Sequence, residues 1–269
     1  MFPVIAFPAI DPVLVHLGPL AIRWYALAYI VGIVIGWQWM KRLVVLSPAV
    51  ATKQQVDDFV TWAVLGVILG GRLGYVLFYG FERYLTAPWE ALYIWQGGMS
   101  FHGGAAGVIL AIFLYCRQQK LSFLGFGDRI CAIVPVGLFF GRLANFINGE
   151  LWGRVSDVPW AMVFPTGGPE PRHPSQLYQA AMEGLILLLV VQVLVHIPAI
   201  RARLGFVAGA FLAGYGIARM VGELFRQPDA QLGFLFAGLT MGQLLSIPMV
   251  LVGAFLMLRA KPVTRSVTA

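Results

Sequence analysis

Two arginines, Arg142 and Arg219, lie inside stretches of the chain that are otherwise apolar. An ionisable residue within a membrane-spanning segment is energetically expensive, so each one is a candidate functional residue. A guanidinium stays protonated and offers a planar fork of donors that matches the oxygens of a phosphate group. Two arginines at one depth in a membrane therefore predict a site for the phosphodiester of a phospholipid, whose acyl chains can remain in the bilayer.

Other polar residues share a helix face with each arginine. Asn145 is three residues after Arg142. Tyr215, Arg219, Glu223 and Arg226 are separated by four, four and three residues, so they lie on one face of a helix. Glu223 is therefore placed to pair with Arg219 and to hold its guanidinium. Taken alone, this pair is equally consistent with a purely structural ion pair.

One histidine could supply acid–base chemistry. His102 lies in the run GGMSFHGG, where glycines on both sides allow another backbone or a ligand to approach closely. A neutral imidazole can take a proton from a nucleophile. A packing histidine, or one that only orients a partner, fits the same residues, so both interpretations stay open.

The composition excludes a water-soluble enzyme. Hydrophobic residues make up 59% of the 269 residues and charged residues only 12%, with a mean hydropathy of +0.79. We interpret the net charge of +7 as a signal of membrane topology, because the surface left outside the spans is too small for a nucleic-acid groove. The two cysteines, Cys116 and Cys131, give neither a disulfide framework nor metal-site spacing.

The elements that must position these residues are predicted to be transmembrane helices, each of about 20 mostly apolar residues. We predict an all-α polytopic membrane protein with about seven such helices, forming a single domain over residues 1–269. The spans are predicted at roughly 20–40, 58–80, 97–116, 130–148, 176–197, 205–224 and 235–258. The longest connection, 149–175, predicts a small substructure on the outer side.

The cationic residues orient these helices. Eleven lysines and arginines, among them Arg129 and Arg265, fall on one set of connections, and four fall on the opposite set. Cytoplasmic connections carry the excess of Lys and Arg. The N-terminus is therefore predicted outside and the C-terminus inside.

The intramembrane polar residues share one predicted depth. They occur early in the spans that run from the outside to the inside of the membrane, and late in the spans that run back. They are Tyr25, Arg72, Ser100, His102, Arg142, Asn145, Asn148, Glu183, Arg219 and Glu223. The other half of the bundle is predicted to contain almost none. This pattern predicts a polar cavity in the outer leaflet, whereas an ion channel needs polar groups across the full thickness.

Small residues recur every four positions in three predicted spans, at Gly66, Gly70 and Gly74, at Gly103, Gly107 and Ala111, and at Gly205, Gly209 and Ala213. Such faces let helix backbones approach closely in lipid. We predict that they serve helix packing.

Four motifs resemble those of one known family. The run 141–153, GRLANFINGELWG, is similar in every fixed position to the signature of the prolipoprotein diacylglyceryl transferases, which begin the maturation of bacterial lipoproteins. The runs SFHGG at 100–104, RHPSQLY at 172–178 and FRQPD at 225–229 extend the resemblance over nearly the whole chain.

The resemblance implies a reaction and a set of site residues. The diacylglyceryl group of phosphatidylglycerol would pass to the lipobox cysteine of a preprolipoprotein signal peptide, forming a thioether and releasing glycerol phosphate. His102, Arg142 and Arg219 would be catalytic, with His102 as the suggested base. The substrate-binding residues would be Tyr25, Asn145, Glu150, Gly153, Glu223 and Arg226.

The family likeness also implies a location and a set of partners. The chain would lie in the bacterial inner membrane with its active site toward the periplasm. It would need no cofactor, no metal and no nucleic acid. Three positions depart from the usual pattern, because Arg23 stands where histidine is frequent, Ala26 where glycine is common, and Gln179 where glutamate is usual.

Two other functions remain as alternatives. A phospholipid flippase or transporter could use the same arginines, but it would need a polar path through the inner half of the membrane and broken helices in paired positions. An intramembrane protease could use Ser100 with His102, although the sequence contains no G-x-S-x-G elbow.

Overall fold

A computed structural model describes residues 5–8, 10–18, 20–228 and 233–262 of this mostly helical chain. The described residues form two compact units. The first unit comprises residues 1–40 and 128–269, and the second comprises residues 41–127. Arg265 of the topology count and Asp229 of the last motif lie outside the described residues.

Helices account for most of the described residues, and strands are short. The helices, in chain order, are α1 (Trp24–Leu43), α2 (Lys53–Phe78), α3 (Phe81–Thr86), α4 (Phe101–Gln119), α5 (Phe123–Cys131), α6 (Val134–Ile147), α7 (Ser175–Gln179), α8 (Leu187–His196), α9 (Pro198–Arg201), α10 (Phe206–Phe225) and α11 (Met241–Arg259). A π-helical segment, Ala180–Ile186, joins α7 to α8, and short 3-10 helices cover Pro88–Leu92, Ile94–Gln96 and Phe236–Gly238. The strands are β1 (Ile5–Ala6), β2 (Val13–Leu17), β3 (Leu20–Arg23) and β4 (Met162–Val163).

Four helices in the described part of the chain are long and apolar enough to cross a membrane. They are Lys53–Phe78, Phe123–Ile147, Ser175–His196 and Met241–Arg259. Three others, α1, α4 and α10, have 20, 19 and 20 residues, and charged residues such as Arg219 and Glu223 lower the hydropathy of α10. The fold is thus consistent with a membrane protein, and the full count of seven spans stays a prediction.

Three predicted spans begin too early, because the backbone turns before the helix begins. The stretch predicted from residue 235 becomes an α-helix only at Met241, after the short 3-10 helix Phe236–Gly238. The stretch predicted from residue 20 becomes helical only at Trp24, since β3 pairs antiparallel with β2 up to Arg23. The stretch predicted from residue 97 becomes helical only at Phe101. Gly97 and Gly98 have φ angles of +83° and +80°, which a right-handed helix does not contain.

In the second unit, α2 and α4 pack through the predicted small-residue faces. A Cβ added at Gly66 would lie 2.8 Å from the carbonyl oxygen of Gly107, and one at Gly74 would lie 2.7 Å from Gly103 Cα. Gly70 likewise approaches the carbonyl of Gly103. The two backbones are therefore in direct contact, which confirms the predicted packing role.

Arg72, one of the residues predicted at the polar depth, stabilises the connection between α2 and α4. Its guanidinium donates to the carbonyl oxygens of Ala91 at 2.7 Å, Gly97 at 2.6 Å and Glu90 at 2.6 Å. The residue is only 7% exposed. One buried cation thus satisfies several backbone carbonyls of a connection that contains only short helices.

The first unit contains buried charges that the predicted depth pattern missed. Asp128 accepts from the backbone N–H of Gly205 and of Ala208, each at 2.7 Å, so it caps the start of α10, far along the helix from Arg219. Arg129, predicted in a connection, is fully buried within the helical stretch Phe123–Ile147. The depth pattern did not include these two buried charges, because residues 128 and 129 fall in the connection between two predicted spans, and hydropathy does not show whether a charge in a connection is buried by the fold.

The close approach of α2 and α4 predicts that Gly107→Ala destabilises the protein. A Cβ at Gly107 would lie 2.9 Å from Gly70 Cα and still closer to the carbonyl of Gly66, and overpacking of this kind typically costs about 1–3 kcal/mol. Thermal unfolding in detergent measures the effect. The matched control is Gly127→Ala, where an added Cβ meets nothing within 4 Å; an equal fall in Tm for both variants would contradict the packing argument.

Candidate anion-binding site

Glu183 is the centre of a buried ion-pair network in the first unit. It lies in the π-helical segment Ala180–Ile186, where wider turns change the direction of side chains relative to a regular α-helix. Its carboxylate has no solvent exposure. Two oxygens that cannot reach water must find partners within the protein.

Both sequence-predicted arginines face this carboxylate. Arg142, on α6, donates from Nε at 3.0 Å and from Nη2 at 2.8 Å to Glu183 Oε2. Arg219, on α10, places its Nη1 3.8 Å from Glu183 Oε1. The side chains of Arg142 and Arg219 are 15% and 14% exposed, so each retains a small accessible surface.

A second buried carboxylate, Glu223, completes the network on α10. Its Oε1 lies 2.6 Å from Arg219 Nη2 and 3.3 Å from Arg226 Nη1. Helix α11 closes on it, because a Cβ added at Gly242 would lie 2.8 Å from the Glu223 carboxyl group. Tyr215 lies one turn before Arg219 on the same helix. The predicted pairing of Glu223 with Arg219 is confirmed.

One donor of this network is left unused. Glu183 and Glu223 together hold the guanidinium groups of Arg142 and Arg219, yet Arg219 Nη1 has no hydrogen-bond partner among the described residues. A guanidinium donor of this kind can bind an oxygen of an anion. The arrangement can therefore present two arginines to one anion.

A smaller polar group lies beside this network at the end of α6. Asn145 and Asn148 donate to Glu150 Oε1 at 2.8 and 3.4 Å, so two amides fix the direction of the carboxylate. Tyr25, on α1, lies within electrostatic range of Glu150 and of Arg142. Since Arg142 and Asn145 share a face of α6, the two groups belong to one site.

The connection that follows α6 is fastened to the end of α10 by backbone hydrogen bonds. Gly153 N–H donates to the carbonyl of His173 at 2.9 Å, and Arg154 N–H donates to that of Phe225 at 2.8 Å. A Cβ at Gly153 would lie 2.5 and 2.6 Å from those two carbonyl oxygens. Only glycine fits where these backbones cross. The close backbone packing thus explains why residue 153 is a glycine, without any contact with a ligand.

His173 contributes to the same connection as a neutral side chain. Burial lowers the pKa of its imidazole below the ordinary value. Its Nδ1 lies 3.1 Å from the hydroxyl of Tyr178, and its ring packs edge-on against Phe225. This histidine stabilises the connection at the end of α10.

The structure brings together most of the sequence-predicted site residues. Those of the first unit are Arg142, Arg219, Glu223 and Arg226 in the ion-pair network, Tyr25, Asn145 and Glu150 beside it, and Gly153 in the adjoining connection. His102 belongs to the second unit, at the first turn of α4, where it is exposed and packs against Phe101. Its role stays a prediction.

Two participants were not among the predicted site residues. Glu183 was noticed only for its depth, because sequence spacing does not reveal which cation a carboxylate meets. Arg154, in the connection, donates to the carbonyls of Arg226 and Glu223 at 3.1 and 3.2 Å. Within the described residues, no group of three His, Cys, Asp or Glu side chains could hold a metal ion.

Comparison with known proteins identifies the family of this chain. A family model described as prolipoprotein diacylglyceryl transferase matches residues 12–259. The chain is similar to proteins named phosphatidylglycerol–prolipoprotein diacylglyceryl transferase. It is 59% identical to the one of Gluconacetobacter diazotrophicus, over 97% of this chain and 94% of the relative, and 59% identical to the one of Paramagnetospirillum magneticum, over 94% of each chain. It is 58% identical to the one of Azospirillum brasilense, over 96% of this chain and 97% of the relative. The chain belongs to the prolipoprotein diacylglyceryl transferase family.

Proposed function

We propose that this protein transfers the diacylglyceryl group of phosphatidylglycerol to the lipobox cysteine thiol of preprolipoproteins. The observation that carries the proposal is the convergence of Arg142 and Arg219, from α6 and α10, on the buried carboxylate of Glu183, with Arg219 Nη1 left without a hydrogen-bond partner among the described residues. A phosphodiester carries one negative charge and accepts hydrogen bonds from guanidinium groups. The names of the relatives support the same lipid and the same kind of acceptor.

The reaction exchanges one bond for another at the glycerol carbon that bears the phosphate. The cysteine sulfur forms a C–S bond to this carbon, the C–O bond to phosphate breaks, and glycerol phosphate leaves with the bonding electron pair. Negative charge therefore develops on the departing oxygen. Arg142 and Arg219 stabilise it from fixed positions, as preorganised donors do in a site of low dielectric.

The nucleophile comes from the protein substrate and must lose its proton, because the thiolate is the reactive form. We assign the removal of this proton to His102, which lies at the start of α4. Tyr25, Asn145 and Glu150 orient the lipid headgroup, and the connection 149–175 forms a small substructure on the outer side that receives the signal peptide.

The proposed topology follows the distribution of Lys and Arg. Seven helices, α1, α2, α4, the stretch Phe123–Ile147, the stretch Ser175–His196, α10 and α11, cross the bacterial inner membrane within a single domain. The N-terminus is outside and the C-terminus inside, so the arginine network faces the periplasmic leaflet.

Replacing either arginine tests the assigned chemistry. Arg142→Ala and Arg219→Ala should each lower transfer by at least about 100-fold, the scale of losing one preorganised donor. The readout is glycerol phosphate release by purified protein with phosphatidylglycerol and a lipobox peptide, with thermal unfolding as a check. Arg142→Lys and Arg219→Lys keep Glu183 and Glu223 facing a cation and should fold, yet remain impaired because the bidentate fork is lost.

Full activity in a folded variant without either arginine would refute the assignment. A folded wild-type protein that yields no product would instead favour the phospholipid flippase or transporter.

Ser100 and His102 should respond differently to substitution. Ser100 Oγ accepts from the N–H of Gly103 at 3.2 Å and caps α4, so Ser100→Ala should reduce stability by about 1 kcal/mol and leave transfer largely intact. His102→Ala should nearly abolish transfer near neutral pH and recover with rising pH, since a cysteine thiol ionises unaided near pKa 8.5. Initial rates across pH measure both effects.

Complete loss in Ser100→Ala would favour the intramembrane protease. A His102→Ala variant whose defect is the same at every pH would show that His102 only positions a partner.

Labelling with a membrane-impermeant maleimide tests the orientation. In a background of Cys116→Ala and Cys131→Ala, the variant Asp157→Cys should be labelled in intact spheroplasts, because residue 157 is exposed in the outer connection. Gln118→Cys, at the exposed inner end of α4, should react only after the membrane is permeabilised. The reverse pattern would invert the proposed topology.

A further inference from the structure

Four buried polar atoms beside the arginine network have no hydrogen-bond partner among the described residues. They are Nε2 and Oε1 of Gln179, Oε1 of Glu183 and Nη1 of Arg219. Gln179 and Glu183 are wholly buried. Such atoms are rare in folded proteins, because an unpaired buried donor or acceptor is unfavourable. Their concentration at one place therefore indicates a missing partner.

These atoms belong to two stretches of chain that touch each other. Gln179 ends α7, four residues before Glu183, and Gly222 follows Arg219 by three residues on α10. A Cβ added at Gly222 would lie 3.3 Å from Gln179 Cγ and 3.6 Å from Gln179 Nε2. Glu183 and Arg219 are the second point of contact, with 3.8 Å between their charged atoms. The partner that these atoms lack must therefore fit next to the arginines.

The chemistry of the four atoms is mixed. Gln179 Nε2 and Arg219 Nη1 are donors, whereas Gln179 Oε1 and Glu183 Oε1 are acceptors. Phosphate oxygens can satisfy only the donors. A hydroxyl group both donates and accepts, so it satisfies both kinds of atom.

The charge of the side chain is consistent with such a partner. Gln179 is neutral, so it offers a donor and an acceptor without adding a negative charge beside the arginines.

We propose that Gln179 binds a hydroxyl of the glycerol headgroup of phosphatidylglycerol, while Arg142 and Arg219 bind its phosphate. This inference rests on the proposed function and makes Gln179 a specificity-determining residue. The headgroup carries hydroxyls on its second and third carbons, close to the phosphate that the arginines hold. An anionic phospholipid without these hydroxyls leaves the amide of Gln179 unpaired and is the poorer donor.

The test compares two lipid donors in one preparation of purified, full-length protein. Phosphatidylglycerol and phosphatidylpropanol have the same charge and the same three-carbon headgroup, but the second lacks the hydroxyls. The lipidated peptide is the product with both donors, and the ratio of their kcat/KM values is independent of the fraction of protein that is folded. Gln179→Met keeps the side chain close in volume while removing both polar amide atoms.

We expect the wild-type protein to prefer phosphatidylglycerol, and Gln179→Met to lose about three- to tenfold of that preference, the size of one hydrogen bond. The loss should come from a lower kcat/KM with phosphatidylglycerol. Gln192→Met is the matched control. Gln192 lies in α8 and donates to the carbonyl of Ala132 at 2.7 Å, and its Oε1 is also buried with no hydrogen-bond partner in the part of the chain that the structure describes. It should keep the wild-type ratio.

An unchanged ratio in Gln179→Met would overturn the inference. Bound water would then be the partner of the four atoms. An equal change in Gln192→Met would overturn it as well, since the effect would then not be local. If wild-type protein lipidates the peptide with neither donor, the proposed function fails and this inference fails with it, whereas activity with an unchanged ratio refutes only the role of Gln179.

Discussion

The ion pairs that join Glu183 to Arg142 and Arg219 connect α6, α10 and the π-helical segment through a carboxylate with no access to solvent. Charges in such a place are stable only with good geometry and complete partners, and removing one partner typically costs about 3–5 kcal/mol. The three elements therefore cannot shift independently. The positions of the two guanidinium groups are determined by the fold before any ligand arrives.

The same network differs from a closed structural salt bridge, because one of its donors is not used. Arg219 pairs with Glu223, yet its Nη1 has no hydrogen-bond partner among the described residues. An unpaired buried donor is unfavourable. In the proposed function, the phosphodiester supplies the acceptor that this donor lacks.

The sequence predicted which residues belong to the ion-pair network better than it predicted which of them contact each other. Arg142, Arg219 and Glu223 could be identified because a charged residue in an apolar stretch is conspicuous and helical spacing shows which residues share a face. The carboxylate that Arg142 meets could not be identified, since Glu183 is 41 residues away and its direction depends on a π-helical turn that hydropathy does not show.

Helix positions were predicted to within a few residues except where local backbone geometry determined the start. Examples are the hairpin before Trp24 and the two glycines with positive φ before Phe101. The buried cap formed by Asp128 was also missed. A capping contact joins residues 77 positions apart, and no periodicity records it.

The backbone hydrogen bonds at Gly153 and Arg154 have a mechanical consequence. They join the connection after α6 to His173 and to Phe225, the last residue of α10, which is the helix that carries Arg219 and Glu223. A displacement of this connection must pull on that helix end and so disturb the arginines. In the proposed function this connection receives the acceptor and the arginines bind the lipid, so a substitution that shifts the connection is expected to alter lipid binding as well.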